Sequence, residues 1–147
     1  MAPAEVILHF GSLIRCSVSR IDVKVTEQKG VETYSCTGPL IKKSFKEISD
    51  ILTQCTDKFL SNLPKSVKIV FMLGNDDGYV KSCQKLLRDK FSDDFNIINS
   101  MAVYADNRVW VHLAHPSGLN GHFGKWLNAE DGAGIKRKEV IEALSSL

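Results

Sequence analysis

The sequence predicts an α/β fold: a central, mainly parallel sheet of about four strands, flanked by helices on both faces. Three observations lead there. Residues 67–73 and 109–114 are short apolar runs, the first continuous except at Lys68, the pattern of a strand covered on both faces. Several segments carry apolar residues at three- and four-residue steps, the period of helices with one buried stripe. These elements alternate as strand, helix, strand, helix, strand, helix, the order of βαβ units.

Taken in order, Val6-Ile7-Leu8 is an apolar run that stops near Gly11 and reads as a buried strand. From Ile21 to Ser35 the alternation is looser, with Lys29-Gly30 as a turn; a hairpin or an ordered loop fits. Thr37-Gly38-Pro39 breaks that segment. Ser44 and Glu47 match the capping-box pattern that opens a helix. Its stripe is Phe45, Ile48, Ile51, Leu52, Cys55, Phe59 and Leu60, and Pro64 marks its end. The strand at 67–73 closes at Gly74, after which Asn75-Asp76-Asp77 offers caps for a second helix. There Tyr79, Val80, Cys83, Leu86, Leu87 and Phe91 line one face. Residues 95–104 read as extended, and Asp106-Asn107 as a turn before the strand ending at Ala114. Phe123, Trp126 and Leu127 then mark a short helix, and Ile135, Val140, Ile141 and Leu144 a final one.

A chain of 147 residues with 44% hydrophobic and 24% charged residues fits one globular domain, residues 1–147. A net charge of +2 gives no overall field of the kind that marks a strong polyanion binder, though a local basic patch would suffice. Cys16, Cys36, Cys55 and Cys83 form no C-x-x-C pair and read as free thiols of a reducing compartment. No apolar run reaches the roughly 18 to 20 residues that span a bilayer, and no signal peptide is evident. An intracellular, soluble protein of nucleus or cytoplasm is expected.

The stretch His115-Pro116-Ser117-Gly118-Leu119-Asn120 lies where a parallel α/β sheet places its chemistry, at the carboxyl end of a strand. A histidine, a rigid proline, a hydroxyl and a glycine there would deliver polar groups to the sheet rim; a purely structural strand-end loop would use the same residues. Downstream lie Gly121-His122-Phe123-Gly124-Lys125-Trp126.

His115-Pro116-Ser117 at a strand end, followed by Leu119 and a basic-aromatic segment, resembles the second signature motif of the uracil-DNA glycosylase superfamily. Val70-Phe71-Met72-Leu73-Gly74-Asn75 is similar to that superfamily's penultimate strand. Asn120 with Lys125-Trp126 is similar to the single-strand-selective branch, and Gly118-Leu119 to the mismatch-specific branch. The resemblance covers roughly residues 40–147. It implies hydrolysis of the N-glycosidic bond of uracil or a related damaged base, flipped out of single- or double-stranded DNA. By that resemblance His115 would donate a hydrogen bond to the base as it gains negative charge. Ser117 would hold a backbone phosphate through its hydroxyl and the loop amides, with Pro116 and Gly118 shaping the loop. Leu119 would fill the space the base leaves. Asn75, Asn120 and Lys125 would be further DNA contacts. No metal or other cofactor is implied.

The family's first motif supplies a water-positioning Asp or Asn ahead of the first strand, whereas only Met1 to Glu5 precede Val6 here. His9-Phe10 stands where a base-reading Asn is expected. The chain therefore reads as a glycosylase-like domain lacking the N-terminal first-motif segment. The alternative is a catalytically inactive glycosylase-like module that binds DNA or a protein partner. A small-molecule α/β binding protein is a third reading.

Other residues have plainer explanations. His112, His115 and His122 lack the accompanying ligand pattern of a metal site. Asp76 and Asp77 read as helix caps before acid/base groups. Lys136-Arg137-Lys138 reads as a solvated helix face before a phosphate contact. Trp110, Trp126, Cys55 and Cys83 read as core.

Overall fold

The structure, a computed structural model, describes residues 20–35, 45–116 and 121–147. The chain divides into two compact units, Met1–Leu63 and Pro64–Leu147. The expected strand at Val6-Ile7-Leu8 lies outside the described residues.

In the first unit, β1 (Arg20–Ile21) and β2 (Tyr34–Ser35) pair antiparallel. Between them residues Val23–Lys29 form helix α1, where the alternating valines had pointed to a hairpin or loop. None of its residues is buried, and Val23, Val25 and Thr26 are β-branched and weak helix formers. Its ends hold it. Asp22 Oδ1 accepts the Val25 amide at 3.2 Å, and Gly30, at φ 64°, donates its amide to the Thr26 carbonyl. Helix α2 spans Ser49–Phe59, with Leu52, Cys55 and Thr56 buried. Residues 45–47 are helical too, but the chain turns at Ile48 (φ −135°) before α2 begins. The expected capping residue Ser44 lies outside the described residues.

The second unit is α/β, built on a four-stranded sheet. Its elements are β3 (Ile69–Leu73), α3 (Asp77–Lys90), a short 3-10 turn (Ser92–Asp94), β4 (Asn96–Asn99), β5 (Ala102–Ala105), β6 (Arg108–Leu113), α4 (Phe123–Leu127) and α5 (Asp131–Ser145). The strand order is β3-β6-β5-β4. The sheet is mixed, not mainly parallel: β3 pairs parallel with β6, whereas β5 pairs antiparallel with both β6 and β4. The cause is connection length. Only Asp106-Asn107 joins β5 to β6, and only Ser100-Met101 joins β4 to β5, and two-residue links can join only antiparallel neighbours. Asp106 and Asn107 both have positive φ (55° and 56°), as the tight hairpin turn matched to strand twist requires.

The order also decides which strand is buried. Interior β6 is buried along Arg108–Val111 and at His112, although it carries an arginine and a histidine. The all-apolar β3 lies at an edge of the described sheet: Phe71 is 50% exposed and Leu73 46%, so it is not covered on both faces as its composition suggested. Successive β6 side chains point to opposite faces. On one, Tyr79 and Phe91 of the α3 region meet the rings of His112 and Trp110. On the other, Val109 and Val111 cluster with Val140 and Ala143 of α5 and with Trp126 of α4. Asn99 Nδ2 donates to the Glu139 carbonyl at 2.8 Å and ties α5 to the β4–β5 turn. Trp110 Nε1 donates to the Ala105 carbonyl at 2.9 Å, so the largest core side chain is polar-satisfied. Buried Arg108 pairs with Asp106 at 2.8 Å across the same turn. Among the described residues no helix is long and apolar enough to cross a membrane.

Candidate functional site at the carboxyl ends of β3 and β6

Because β3 and β6 are parallel neighbours in register from Ile69↔Val109 to Leu73↔Leu113, the chain leaves both strands at the same sheet end. The Gly74 amide donates to the Leu113 carbonyl at 2.7 Å and carries the pairing one residue further. Two loops thus open side by side: Gly74-Asn75-Asp76 and Ala114-His115-Pro116. Such paired carboxyl ends are where open α/β sheets bind ligands. Of the expected site residues, Asn75, His115, Pro116 and Lys125 are described. Ser117, Gly118, Leu119 and Asn120 lie outside the described residues.

Ala114 is buried and His115 and Pro116 are exposed, so the strand ends as the imidazole reaches the surface. On the neighbouring loop, Gly74 adopts φ +129°, a conformation open to glycine and strained for other residues. A Cβ there would lie 2.7 Å from Cε1 of Tyr79, whose ring covers the turn. Asp76 caps α3, its Oδ1 accepting the Tyr79 amide at 3.1 Å. Asp77 pairs with Lys136 at 2.6 Å. Both carboxylates are therefore engaged structurally, as cap and ion pair.

Two residues that sequence reasoning left out of the site hold this loop. His112, 2% exposed on β6, has its Nδ1 at 2.9 Å from the Gly74 carbonyl. A carbonyl only accepts, so Nδ1 carries the proton and donates. Nε2 is buried without a partner, which suits a neutral ring. Burial holds the His112 pKa below the usual histidine range, although the Gly74 hydrogen bond works the other way. Tyr79, whose ring meets His112 edge-on, and Cys83 are also buried. Burial raises the Tyr79 pKa well above its ordinary value and pushes the Cys83 thiol up to about 12, so that thiol is inert. The second residue is Lys136, whose Nζ donates to the Asn75 carbonyl at 2.7 Å while pairing with Asp77. At 25% side-chain exposure Lys136 is turned inward, not a member of a solvated face. No local signal distinguishes it from Arg137 and Lys138; its role depends on where α5 crosses the sheet.

The loop after β3, the α4 segment and the start of α5 line a cleft of about 480 Å³, formed by Asn75, Asp76, Asp77, His122, Lys125, Asp131 and Lys136; residues 114–116 lie outside that lining. Lys125 Nζ lies 3.2 Å from Asp131 Oδ2, both groups at least half exposed. The cleft holds three carboxylates, Asp76, Asp77 and Asp131, against two ammonium groups. It is a site of paired charges and not a basic funnel. An exposed pair such as Lys125–Asp131 is worth at most about 1 kcal/mol, so an incoming anion can take the aspartate's place. Among the described residues no three His, Cys, Asp or Glu side chains are grouped to hold a metal ion.

Polar groups of the loop after β3 and of helices α4 and α5 thus meet in one cleft, and the exposed His115 leaves the same sheet end on the neighbouring strand. No protein-family model, no curated protein and no solved structure matches this chain.

Proposed function

We propose that this chain is a uracil-DNA glycosylase-like domain that engages DNA at the carboxyl ends of β3 and β6. The observation carrying this reading is the parallel β3–β6 pair, which brings the loop bearing Asn75 beside the loop that begins His115-Pro116. The reaction is hydrolysis of the N-glycosidic bond of uracil or a related base flipped out of the stack. The C1′–N bond breaks and its electron pair departs on the base, a water oxygen bonds to C1′ and releases a proton, and the departed base anion takes up a proton. His115, exposed at the strand end, donates a hydrogen bond to that developing anion. Ser117, Leu119 and Asn120, next in sequence, are DNA contacts by the resemblance to the glycosylase motif, in which Pro116 and Gly118 are the loop-shaping residues. Asn75 contacts a phosphate from the neighbouring loop, and Lys125 exchanges Asp131 for another.

The second reading, a DNA-binding module that does not cut, is favoured by one observation. The acidic side chains nearest the strand ends, Asp76 and Asp77, are occupied as cap and ion pair, which leaves neither to position water. Single- and double-stranded oligonucleotides containing uracil, treated with alkali after incubation with the purified chain, separate the readings. Cleavage at uracil that is lost in His115→Ala supports excision. Salt-dependent binding without cleavage selects the binding module. Intact DNA with no binding at high protein excess overturns both.

A further inference from the structure

The loop between β3 and α3 is held at successive positions by different elements. His112 of β6 donates to the Gly74 carbonyl, and the Asp76 carboxylate caps α3. Lys136 of α5 reaches back 61 positions in the chain to donate to the Asn75 carbonyl, and the same ammonium group pairs with Asp77. The Gly74 and Asn75 carbonyls are therefore both held at the lip of the cleft, and Lys136 links this stretch to α5.

We propose that Lys136 is a positioning residue of this site. By binding the Asn75 carbonyl and the Asp77 carboxylate together, its ammonium group fixes the loop in the conformation from which Asn75 contacts a DNA phosphate. Lys136 is not itself a phosphate contact: it is three-quarters buried, and its donors point at protein oxygens. The inference rests on the DNA-binding reading above. Its physical basis is preorganisation, since a loop already ordered in the free protein does not lose that entropy on binding. An ordinary solvated lysine would act differently, adding to affinity through counterion release and steepening the salt dependence.

The experiment uses the full chain and a fluorescent single-stranded oligonucleotide containing uracil, with affinity followed against salt by anisotropy. Lys136→Met keeps the aliphatic stem and removes the donors; Lys136→Arg keeps a donor that can serve both acceptors. Amide exchange of the free protein at residues 75–77 is read in parallel. The expected result for Lys136→Met is faster exchange there and an affinity loss of about two- to tenfold, the usual cost of ordering one side chain or short loop. The salt slope stays unchanged, Lys136→Arg restores affinity, and Lys136→Met adds nothing in an Asn75→Ala background. A salt slope reduced by about 0.7 to 0.9 would make Lys136 a direct phosphate contact and overturn the proposal. So would a loss additive with Asn75→Ala, or unaltered exchange at residues 75–77. Wild-type protein that binds no DNA removes the parent reading instead, and the exchange data then decide separately whether the clamp exists.

Discussion

Gly74→Ala tests whether the turn that launches the candidate site is built as described. Two costs add. The φ of +129° lies in a region that is essentially glycine-only, and forcing another residue into such backbone costs about 1–3 kcal/mol. The new Cβ would also lie 2.7 and 2.8 Å from Cε1 and Cδ1 of Tyr79. That ring cannot swing away, because it is buried and meets the His112 ring edge-on at 5.7 Å between centroids. Overpacking of this kind costs about 1–3 kcal/mol more. The expected loss is thus about 2–6 kcal/mol, a large share of the roughly 5–15 kcal/mol that holds a domain folded. Urea unfolding followed by tryptophan fluorescence is a suitable assay, since Trp110 and Trp126 are both buried in the second unit. With a slope of about 2 kcal/mol per molar, the midpoint falls by roughly 1–3 M. In a Tyr79→Leu background the ring is gone, and the penalty of Gly74→Ala shrinks to the backbone cost of about 1–3 kcal/mol. A change within about 0.5 kcal/mol of wild type would refute the reasoning, because that is the range of an unremarkable surface substitution. Equal penalties in the two backgrounds would show that Tyr79 is not the obstruction.

Two further substitutions test neighbouring parts of the account. His112 has a lowered folded pKa, so the unfolded chain takes up its proton first as pH falls below about 6.5. The stability tied to the neutral ring is present above that pH and lost below it, toward the folded pKa. Urea midpoints of wild type and His112→Phe should therefore converge as pH falls from 7.5 to 5; parallel profiles would contradict a buried neutral His112. At the β5–β6 turn, Asn107→Val puts a β-branched residue at φ 56° and should cost about 1–2 kcal/mol, whereas Asn107→Gly should cost little or stabilise. Thermal unfolding that ranks valine above glycine would contradict the turn geometry.

Much of the second unit was legible because local and global signals agree there. Asp76 caps α3 as its place after a strand and before an apolar stripe suggested, and Tyr79, Val80, Cys83 and Leu87 are the buried face. Strand direction was also written in the chain, in the two-residue Asp106-Asn107 link, but the alternation of strands with helices outweighed it. Hydrophobicity overstated the cover on β3: that apolar strand lies at an edge of the described sheet, while β6 is interior, its Arg108 paired with Asp106 and its His112 Nδ1 bonded to Gly74. In the first unit, α1 was hidden because Val23, Val25 and Val31 mimic a two-residue period; Asp22 and Gly30 were the overlooked start and stop signals. Asn75 and His115 follow β3 and β6, as their places after apolar runs suggested; that these two strand ends lie side by side comes from the parallel pairing, which no local pattern encodes. The place of Lys136 was hidden for the same reason, because a contact spanning 61 positions depends on helix placement.

Chemical-shift mapping of the full chain against a uracil-containing oligonucleotide addresses the central claim most directly. DNA engagement at the carboxyl ends of β3 and β6 predicts salt-sensitive shifts concentrated at residues 74–77 and 114–116, at Lys125 and around Lys136. Shifts gathered instead at the opposite sheet end, around Asp106-Asn107, or no shifts at all, would contradict it.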